Sequence, residues 1–211
     1  MAQQRRQRPS LTAEDWAEAA LSAIREGGGL SAVAVEPLAV RLGATKGSFY
    51  WHFANREALV DAALARWEQQ ATDAVIARLA EEPEPAVRLR RLFAVTSLAA
   101  AEDPVEPALL AQAGHPRVAA ALHRVVLRRL DYLTELFSEL GFTPDEARRR
   151  SLHAYSGYLG HAQLAHAVPE VLPRGPEART YLDGILRSLL SPVPSPGTAE
   201  ATDTRGTGAE L

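Results

Sequence analysis

Residues 45–53, with the sequence TKGSFYWHF, concentrate side chains that suit contact with nucleic acid. Phe49 and Phe53 lie four positions apart, so on a helix both rings point the same way and can anchor it to a core. Three consecutive rings at 50–52 cannot all face inward on a period of 3.6 residues, so core packing alone does not explain the segment. The side chains left for a DNA groove and its phosphates are those of Thr45, Lys46, Ser48, Tyr50, Trp51 and His52.

The elements that position this segment are two short helices joined by a tight turn. Apolar residues from Val35 to Leu42 recur at helical spacing, Gly43 ends that helix, and Thr45 can cap the next. A helix N-terminus at Thr45 also directs backbone N–H groups at phosphate. Lys46 is the only lysine in the chain and suits a contact made as a point charge. The pattern predicts a helix-turn-helix whose second helix, ending near Phe53, lies in a major groove.

Helical periodicity extends along the rest of the chain. Thr12 can cap a first helix over about 13–27, and Asn55 a long fourth helix that runs to the prolines at 83 and 85. Thr143 and Glu146 have the spacing of a capping box at the start of a later helix. Further amphipathic stretches follow, the last at 178–189, and none alternates as a β-strand does. The sequence therefore predicts an all-α fold of about nine helices.

Residues 38–64, LAVRLGATKGSFYWHFANREALVDAAL, resemble the DNA-binding core of the TetR family of bacterial transcription regulators, and the likeness covers roughly 12–65. The resemblance implies a three-helix DNA-binding head, a helical ligand-binding and dimerisation domain, and a homodimer held by the last two long helices. Such regulators usually repress and are released from DNA by a small molecule. The expected organisation is a flexible basic arm at 1–11, the head at 12–56, the second domain at 57–190 and a disordered tail at 191–211.

The same resemblance assigns roles to individual residues. Lys46, Gly47 and Ser48 would approach base edges, and Tyr50 a phosphate or a thymine methyl group. Thr45, Trp51 and His52 would touch the DNA backbone, and Arg56 a phosphate. The sequence departs from the family at the start of the second helix, where Ala34, Val35, Glu36 and Pro37 replace the usual capping and base-reading residues. Glu36 would either accept a hydrogen bond from a cytosine amine or repel phosphate.

The second domain contains candidates for an effector pocket and for a dimer interface. The pocket candidates combine apolar area with a polar handle or lie on an inward-facing helix, although ordinary core packing is the alternative for each: Trp67, Phe93, Thr96, Tyr155, Tyr158 and His161. Gly157 and Gly160 would let another helix approach closely, and 178–189 is a suitable partner. The fourth helix, which carries both Arg56 and Trp67, is the expected lever between ligand and DNA.

Composition narrows the remaining function classes. The chain has 211 residues, 46% hydrophobic, and no cysteine, which removes disulfides, thiolate catalysis and cysteine-bound zinc. Residues 1–56 carry seven cationic and five anionic side chains, whereas the net charge of the whole chain is −3. The N-terminal part is therefore basic and the remainder acidic. No secretory signal or membrane span is visible, and the expected location is the cytoplasm.

An enzyme is the competing class. The histidines of the second domain lack the spacing of a helical zinc site, and no phosphate loop or nucleophile elbow is present. The sequence therefore predicts no catalysis, metal or cofactor. It predicts a homodimeric, cytoplasmic DNA-binding regulator with double-stranded operator DNA and an unidentified small molecule as partners. The alternatives are a regulator without a small-molecule ligand or, less favoured, a helical enzyme.

Overall fold

The computed structural model describes residues 11–191. The predicted basic arm and disordered tail lie, except for Leu11 and Ser191, outside these residues. Within them the chain is all-α, as predicted, and contains no strand. The ten α-helices are α1 (Ala13–Gly27), α2 (Val35–Leu42), α3 (Lys46–Phe49), α4 (Arg56–Glu68), α5 (Ala74–Ala80), α6 (Pro85–Glu102), α7 (Val105–Leu110), α8 (Pro116–Glu139), α9 (Pro144–Ala167) and α10 (Pro176–Leu190).

One π-helical segment, Gln69–Asp73, joins α4 to α5 without a break. Counted as separate rods over 11–191, the helices therefore number nine, in agreement with the sequence. The sequence predicted this long fourth helix but not its π-helical segment. Such segments open the backbone ladder locally and are frequent at functional sites.

Side-chain caps fix where the helices begin. Thr12 and Asp15 form a reciprocal capping box at α1, and the Ala58 N–H donates to Asn55 Oδ1 at 2.8 Å at the start of α4. Thr143 caps α9 by accepting from the Glu146 N–H. These caps lie where the sequence placed them, because each satisfies an N–H group that the first helical turn leaves without a partner.

Helix α3 is shorter than the sequence predicted. It ends at Phe49, and the next three residues form a turn in which the His52 N–H donates to the Phe49 carbonyl at 2.9 Å. The chain must be extended at Asn55 to cap α4, so it leaves the helical path soon after Phe49. The turn still brings Phe53 back into the core.

Two hydrophobic clusters make up the core. The first joins α1 to α4 around Trp16, Phe49 and Trp67, and it also includes residues of α7 and the first half of α8, among them Val105 and Leu109. The second lies among α5, α6, α8, α9 and α10. The core of the N-terminal region is therefore completed by helices far along the chain, and the predicted domain boundary at residue 56 stays a prediction.

Candidate nucleic-acid interface and buried cavity

The turn between α2 and α3 fixes the direction in which α3 leaves α2. Gly43 ends α2 with a left-handed backbone, φ 63°, which favours glycine over residues with a side chain. The Ser48 N–H then donates to Thr45 Oγ1 at 3.2 Å, and the Ser48 hydroxyl donates to the Thr45 carbonyl at 3.0 Å. A four-residue helix is thus held at its N-terminal end by its own side chains.

The inner side of α3 is aromatic. Phe49 is fully buried, with its ring centroid 5.4 Å from that of Trp16 in an edge-on arrangement and 5.7 Å from that of Phe53 in a stacked one. Such pairs add to the stabilisation from area burial alone. The prediction that the two phenylalanines anchor the segment is confirmed.

The outer side of the same segment is open to solvent. Trp51 is 86% exposed and Tyr50 55% exposed, which is unusual for large aromatic side chains. Thr45, Lys46, Gly47 and His52 are also exposed, and Ser48 is partly buried. The structure therefore brings the predicted contact residues of 45–52 to the surface, while their contact with DNA stays a prediction.

Glu36 forms an ion pair that the sequence did not reveal. Its Oε1 lies 2.6 Å from Lys46 Nζ, and both side chains are largely exposed. Hydrogen bonding and charge from Lys46 lower the pKa of Glu36, and the same contact raises the pKa of Lys46. The pair joins the first turn of α2 to the first residue of α3, so it depends on the turn that brings these two ends together.

Arg56 is placed differently from the other predicted contacts. Its Nε donates to the Val33 carbonyl at 2.7 Å and its Nη2 to the Leu30 carbonyl at 2.5 Å. These bonds attach the start of α4 to the loop before α2. The predicted phosphate contact stays a prediction, and in this structure the guanidinium fixes the loop.

Three adjoining cavities lie in the C-terminal part of the molecule. The first, about 60 Å³, lies among the π-helical segment, α5, α6, α8 and α9. Two neighbours of about 230 Å³ and 210 Å³ share Thr96 and Tyr158 with it. Of the predicted pocket residues, Phe93, Thr96, Tyr155 and Tyr158 line the first cavity, His161 the second and Trp67 the third. Their contact with a ligand stays a prediction.

A buried ion pair between Arg129 and Glu106 stands beside these cavities. The Arg129 Nη1 to Glu106 Oε1 distance is 2.7 Å, and the side chains are 13% and 7% exposed. Arg129 also donates to Thr72 Oγ1 at 2.9 Å and to the Ala71 carbonyl at 3.2 Å, both in the π-helical segment. The Tyr158 hydroxyl donates to the second Glu106 oxygen at 2.8 Å.

This network affects the tyrosines that surround it. The Arg129 guanidinium carbon lies 6.0 Å from the ring centroid of Tyr155 and 5.6 Å from that of Tyr158. Burial, with the Glu106 charge, raises the pKa of Tyr155 to about 12 and raises the pKa of Tyr158 as well. Burial works against the charge of Arg129, but Glu106 keeps its pKa above the usual value.

Sequence reasoning missed both charged members of the network. A signal existed for Arg129, because the buried positions of α8 include Leu122, Val125, Leu133 and Leu136, and Arg129 falls on that same stripe. An arginine on an apolar stripe requires a buried partner. Glu106, between two prolines in a short helix, gave no comparable signal.

The glycines of α9 and α10 face open space within one chain. A Cβ atom built at Gly157, Gly160 or Gly184 meets no described atom within 4 Å. Nearby large apolar side chains are exposed, among them Leu164 at 41% and Tyr181 at 40%. The predicted close approach of another helix to Gly157 and Gly160 is therefore not made by α10 of the same chain.

Residues 11–191 contain no group of three or more histidine, aspartate or glutamate side chains placed to hold a metal ion. Across the same residues, no helix combines the length and the apolar character that a membrane crossing requires.

Comparison with known proteins relates this arrangement to one family. Residues 18–63, which span most of α1 and all of α2 and α3, match the family model of bacterial regulatory proteins, tetR family. No match to a curated protein is found.

Solved structures resemble the whole fold. A transcriptional regulator from Rhodococcus sp. Rha1 matches with a TM-score of 0.64 and 24% identity, over 85% of this chain and 94% of that one. A TetR-family regulator from Mesorhizobium loti matches with 0.65 and 20%, over 84% and 94%. The regulator FadR from Bacillus subtilis, in complex with stearoyl-CoA, matches with 0.58 and 15%, over 84% and 97%. At these identities the likeness is one of fold.

Proposed function

Since the chain is a transcriptional regulator of the tetR family of bacterial regulatory proteins, we propose that it is a cytoplasmic repressor that binds operator DNA as a homodimer and leaves it when a small molecule binds. The observation that carries the proposal is the division of α3 into a buried aromatic side and an exposed polar one. An exposed tryptophan and tyrosine beside a lysine suit a DNA groove and its phosphates better than they suit water.

Lys46 must change partner when DNA binds. In the free chain its ammonium group is held by Glu36 at 2.6 Å, so a phosphate or base edge has to replace that carboxylate. Both side chains are exposed, and exposed ion pairs contribute little to stability. The exchange is therefore inexpensive, and Glu36 opposes DNA binding by competing for Lys46 and by its own charge.

The homodimer is proposed to form through α9 and α10. The open space at Gly157, Gly160 and Gly184 admits the backbone of a second chain, and Leu164 and Tyr181 supply apolar area around it. Two helices from each chain would form an isologous four-helix interface about a two-fold axis. The two-fold axis of such a dimer would relate its two copies of α3 to each other, as the half-sites of a palindromic operator are related.

The cavities favour a regulator with an effector over one without. Two elements connect them to the head. The π-helical segment accepts two hydrogen bonds from Arg129 at the cavity, and its Gln70 Nε2 donates to Glu18 of α1 at 2.8 Å. This continuous helix is the proposed lever between ligand and DNA, as the sequence predicts.

Helix α7 is the second connection and was not foreseen. Its Glu106 belongs to the network at the cavity. The preceding Asp103 accepts two hydrogen bonds from Arg25 of α1, both at 3.1 Å. Gln112, just beyond α7, accepts from the Leu30 N–H and donates to the Gly28 carbonyl, each at 3.1 Å. A ligand that displaces α7 would thereby move α1 and the loop before α2.

The test is footprinting on duplex DNA from upstream of the chain's own gene, combined with light scattering. We expect a dimer and two protected half-sites about 34–36 Å apart, centre to centre. The variant Leu164→Glu, on α9, should give monomers with weakened footprints. The control Leu127→Glu, at an exposed leucine on α8, should leave the dimer and the footprints unchanged. A wild-type monomer, or no protection at any concentration that saturates a nonspecific duplex, would contradict the proposal.

A further inference from the structure

We propose that the effector of this regulator is an uncharged, mainly apolar molecule with one hydrogen-bond acceptor, which occupies the 60 Å³ cavity and accepts from the Tyr155 hydroxyl. Calling this molecule an effector rests on the proposed function. The binding site itself rests on the lining, the charge balance and the unpaired hydroxyl, which are independent of DNA binding.

The lining of the cavity selects an apolar occupant. Apolar side chains of α5, α6 and α8 form most of its wall, among them Val75, Ile76, Leu92, Phe93 and Leu133. Cavities bordered mainly by hydrocarbon accept small apolar molecules. Filling the space with hydrocarbon restores the dispersion contacts that its walls lack.

The charge balance selects an uncharged occupant. Arg129 is the one charged residue in the lining, and Glu106 neutralises it at 2.7 Å. Both oxygens of Glu106 are in use, one by Arg129 and the other by the Tyr158 hydroxyl. An entering anion would place a second carboxylate on one guanidinium, and an entering cation would find no free carboxylate. Either charge would be buried without a partner of its own.

The unpaired hydroxyl selects the acceptor. Tyr155 is 5% exposed and lines the cavity, and its hydroxyl has no hydrogen-bond partner among residues 11–191. A buried hydroxyl without a partner is unfavourable, so a ligand that supplies an acceptor gains that energy. The hydroxyl keeps its proton well above neutral pH, because burial raises the pKa of Tyr155 to about 12.

Tyr132 provides the matched comparison. It also lines the cavity, and its hydroxyl also lacks a partner. Tyr155 lies beside the buried ion pair: its ring centroid is 6.0 Å from the Arg129 guanidinium carbon and 6.1 Å from the ring centroid of Tyr158. The charged groups that affect the pKa of Tyr132 are instead Arg88, Glu139 and Glu135, none of which lines the cavity, so we assign the ligand's acceptor to Tyr155.

The experiment titrates three probes of nearly the same size against the full chain in solution. Acetone carries an acceptor, 2-methylpropene carries none, and acetate carries a charge, and all three are small enough for a cavity of about 60 Å³. Affinities come from ligand-observed NMR titrations without DNA. We expect acetone to bind about three- to tenfold more tightly than 2-methylpropene, the value of one net hydrogen bond, and acetate to bind most weakly.

Two variants locate the hydrogen bond. Tyr155→Phe should reduce the affinity for acetone to that for 2-methylpropene and leave the affinity for 2-methylpropene unchanged, whereas Tyr132→Phe should keep the preference. Circular dichroism confirms that each variant is folded. Acetate binding as tightly as acetone, an unchanged preference in Tyr155→Phe, or no binding of any probe would overturn the inference. If the wild type does not bind DNA but the probes bind as expected, only the proposed function is contradicted, and the binding site stands.

Discussion

Two ion pairs of nearly the same length occupy opposite surroundings in this molecule. Lys46 and Glu36 lie 2.6 Å apart on the surface of the head, with 55% and 71% of their side chains exposed. Arg129 and Glu106 lie 2.7 Å apart beside the cavity, with 13% and 7% exposed. When the first pair separates, water solvates both charges. The charges of the second pair are stabilised only by each other and by a few hydrogen bonds.

The difference assigns separate roles to the two regions. The head keeps its cations, rings and hydroxyls in solvent, where they exchange partners at little cost and suit a polyanion. The region around the cavity buries its polar groups in a network formed by Arg129, Glu106, Tyr158 and Thr72. A new polar group there must replace one of these specific partners. In the proposed function, recognition of DNA and recognition of a small neutral molecule would therefore be carried out by separate regions of one chain.

The largest expected effect comes from breaking the buried pair. Glu106→Gln leaves the Arg129 charge without its counter-charge, so we expect the free energy of unfolding to fall by about 3–5 kcal/mol. Urea denaturation monitored by circular dichroism measures the change. Glu36→Gln is the control, and its midpoint should match that of the wild type. Equal effects of the two substitutions would show that burial does not distinguish the pairs.

A single methyl group tests the outer side of α3. A Cβ atom at Gly47 would meet only Thr45 Oγ1, at an ordinary contact distance of 3.7 Å, so Gly47→Ala should fold with unchanged or slightly higher stability. Against a DNA groove the same methyl group should weaken binding about tenfold, the cost of a modest overpacking. Fluorescence anisotropy with the footprinted duplex measures the affinity. Wild-type affinity in this variant would mean that Gly47 does not approach DNA.

Alkaline pH tests the buried region with a different probe. The pKa of Tyr155 is raised to about 12 by burial, so the unfolded chain loses this proton first. Stability from this group is complete below the unfolded pKa near 10 and is lost as the pH rises toward 12. Between pH 9 and pH 11 the wild type should lose about 1 kcal/mol more than Tyr155→Phe. Tyr50→Phe, at an exposed site, should follow the wild type, and identical curves for all three proteins would contradict the burial of Tyr155.

The smallest expected effect is a gain of function. Glu36→Gln removes the competitor for Lys46 and a negative charge beside the phosphates, so operator affinity should rise by about two- to fivefold at low salt and less at high salt. Anisotropy titrations at two salt concentrations measure it. A loss of affinity confined to particular operator bases would show that Glu36 accepts from a cytosine amine instead.

The sequence predicted features that depend on local spacing. The caps at Thr12, Asn55 and Thr143, the inward rings of Phe49 and Phe53, and the all-α fold all follow from residues within a few positions of one another. Four of the six pocket candidates line one cavity, because aromatic side chains on inward-facing helices are the usual wall of a pocket.

Features that depend on contacts between residues far apart in the chain could not be predicted from the sequence. Arg129 meets the π-helical segment from more than fifty residues away, and Glu106 meets Tyr158 across a similar separation. The π-helical segment itself has no local signal, because its contacts come from a distant helix: Arg129 donates to the Ala71 carbonyl and to the Thr72 hydroxyl. The role of α7 as a second connection to the head rests on the same kind of contact, between Asp103 and Arg25.

The measurement that most directly tests the assignment of α3 is the salt dependence of DNA binding in the double variant Lys46→Ala with Tyr50→Ala. Arg149→Ala, which removes an exposed cation of α9, is the control for charge alone. The double variant should bind at least tenfold more weakly, and its plot of log affinity against log salt should be shallower by about one unit per chain, as expected when one cation that contacts phosphate is lost. Affinity and slope equal to those of the wild type and of Arg149→Ala would show that DNA is bound elsewhere.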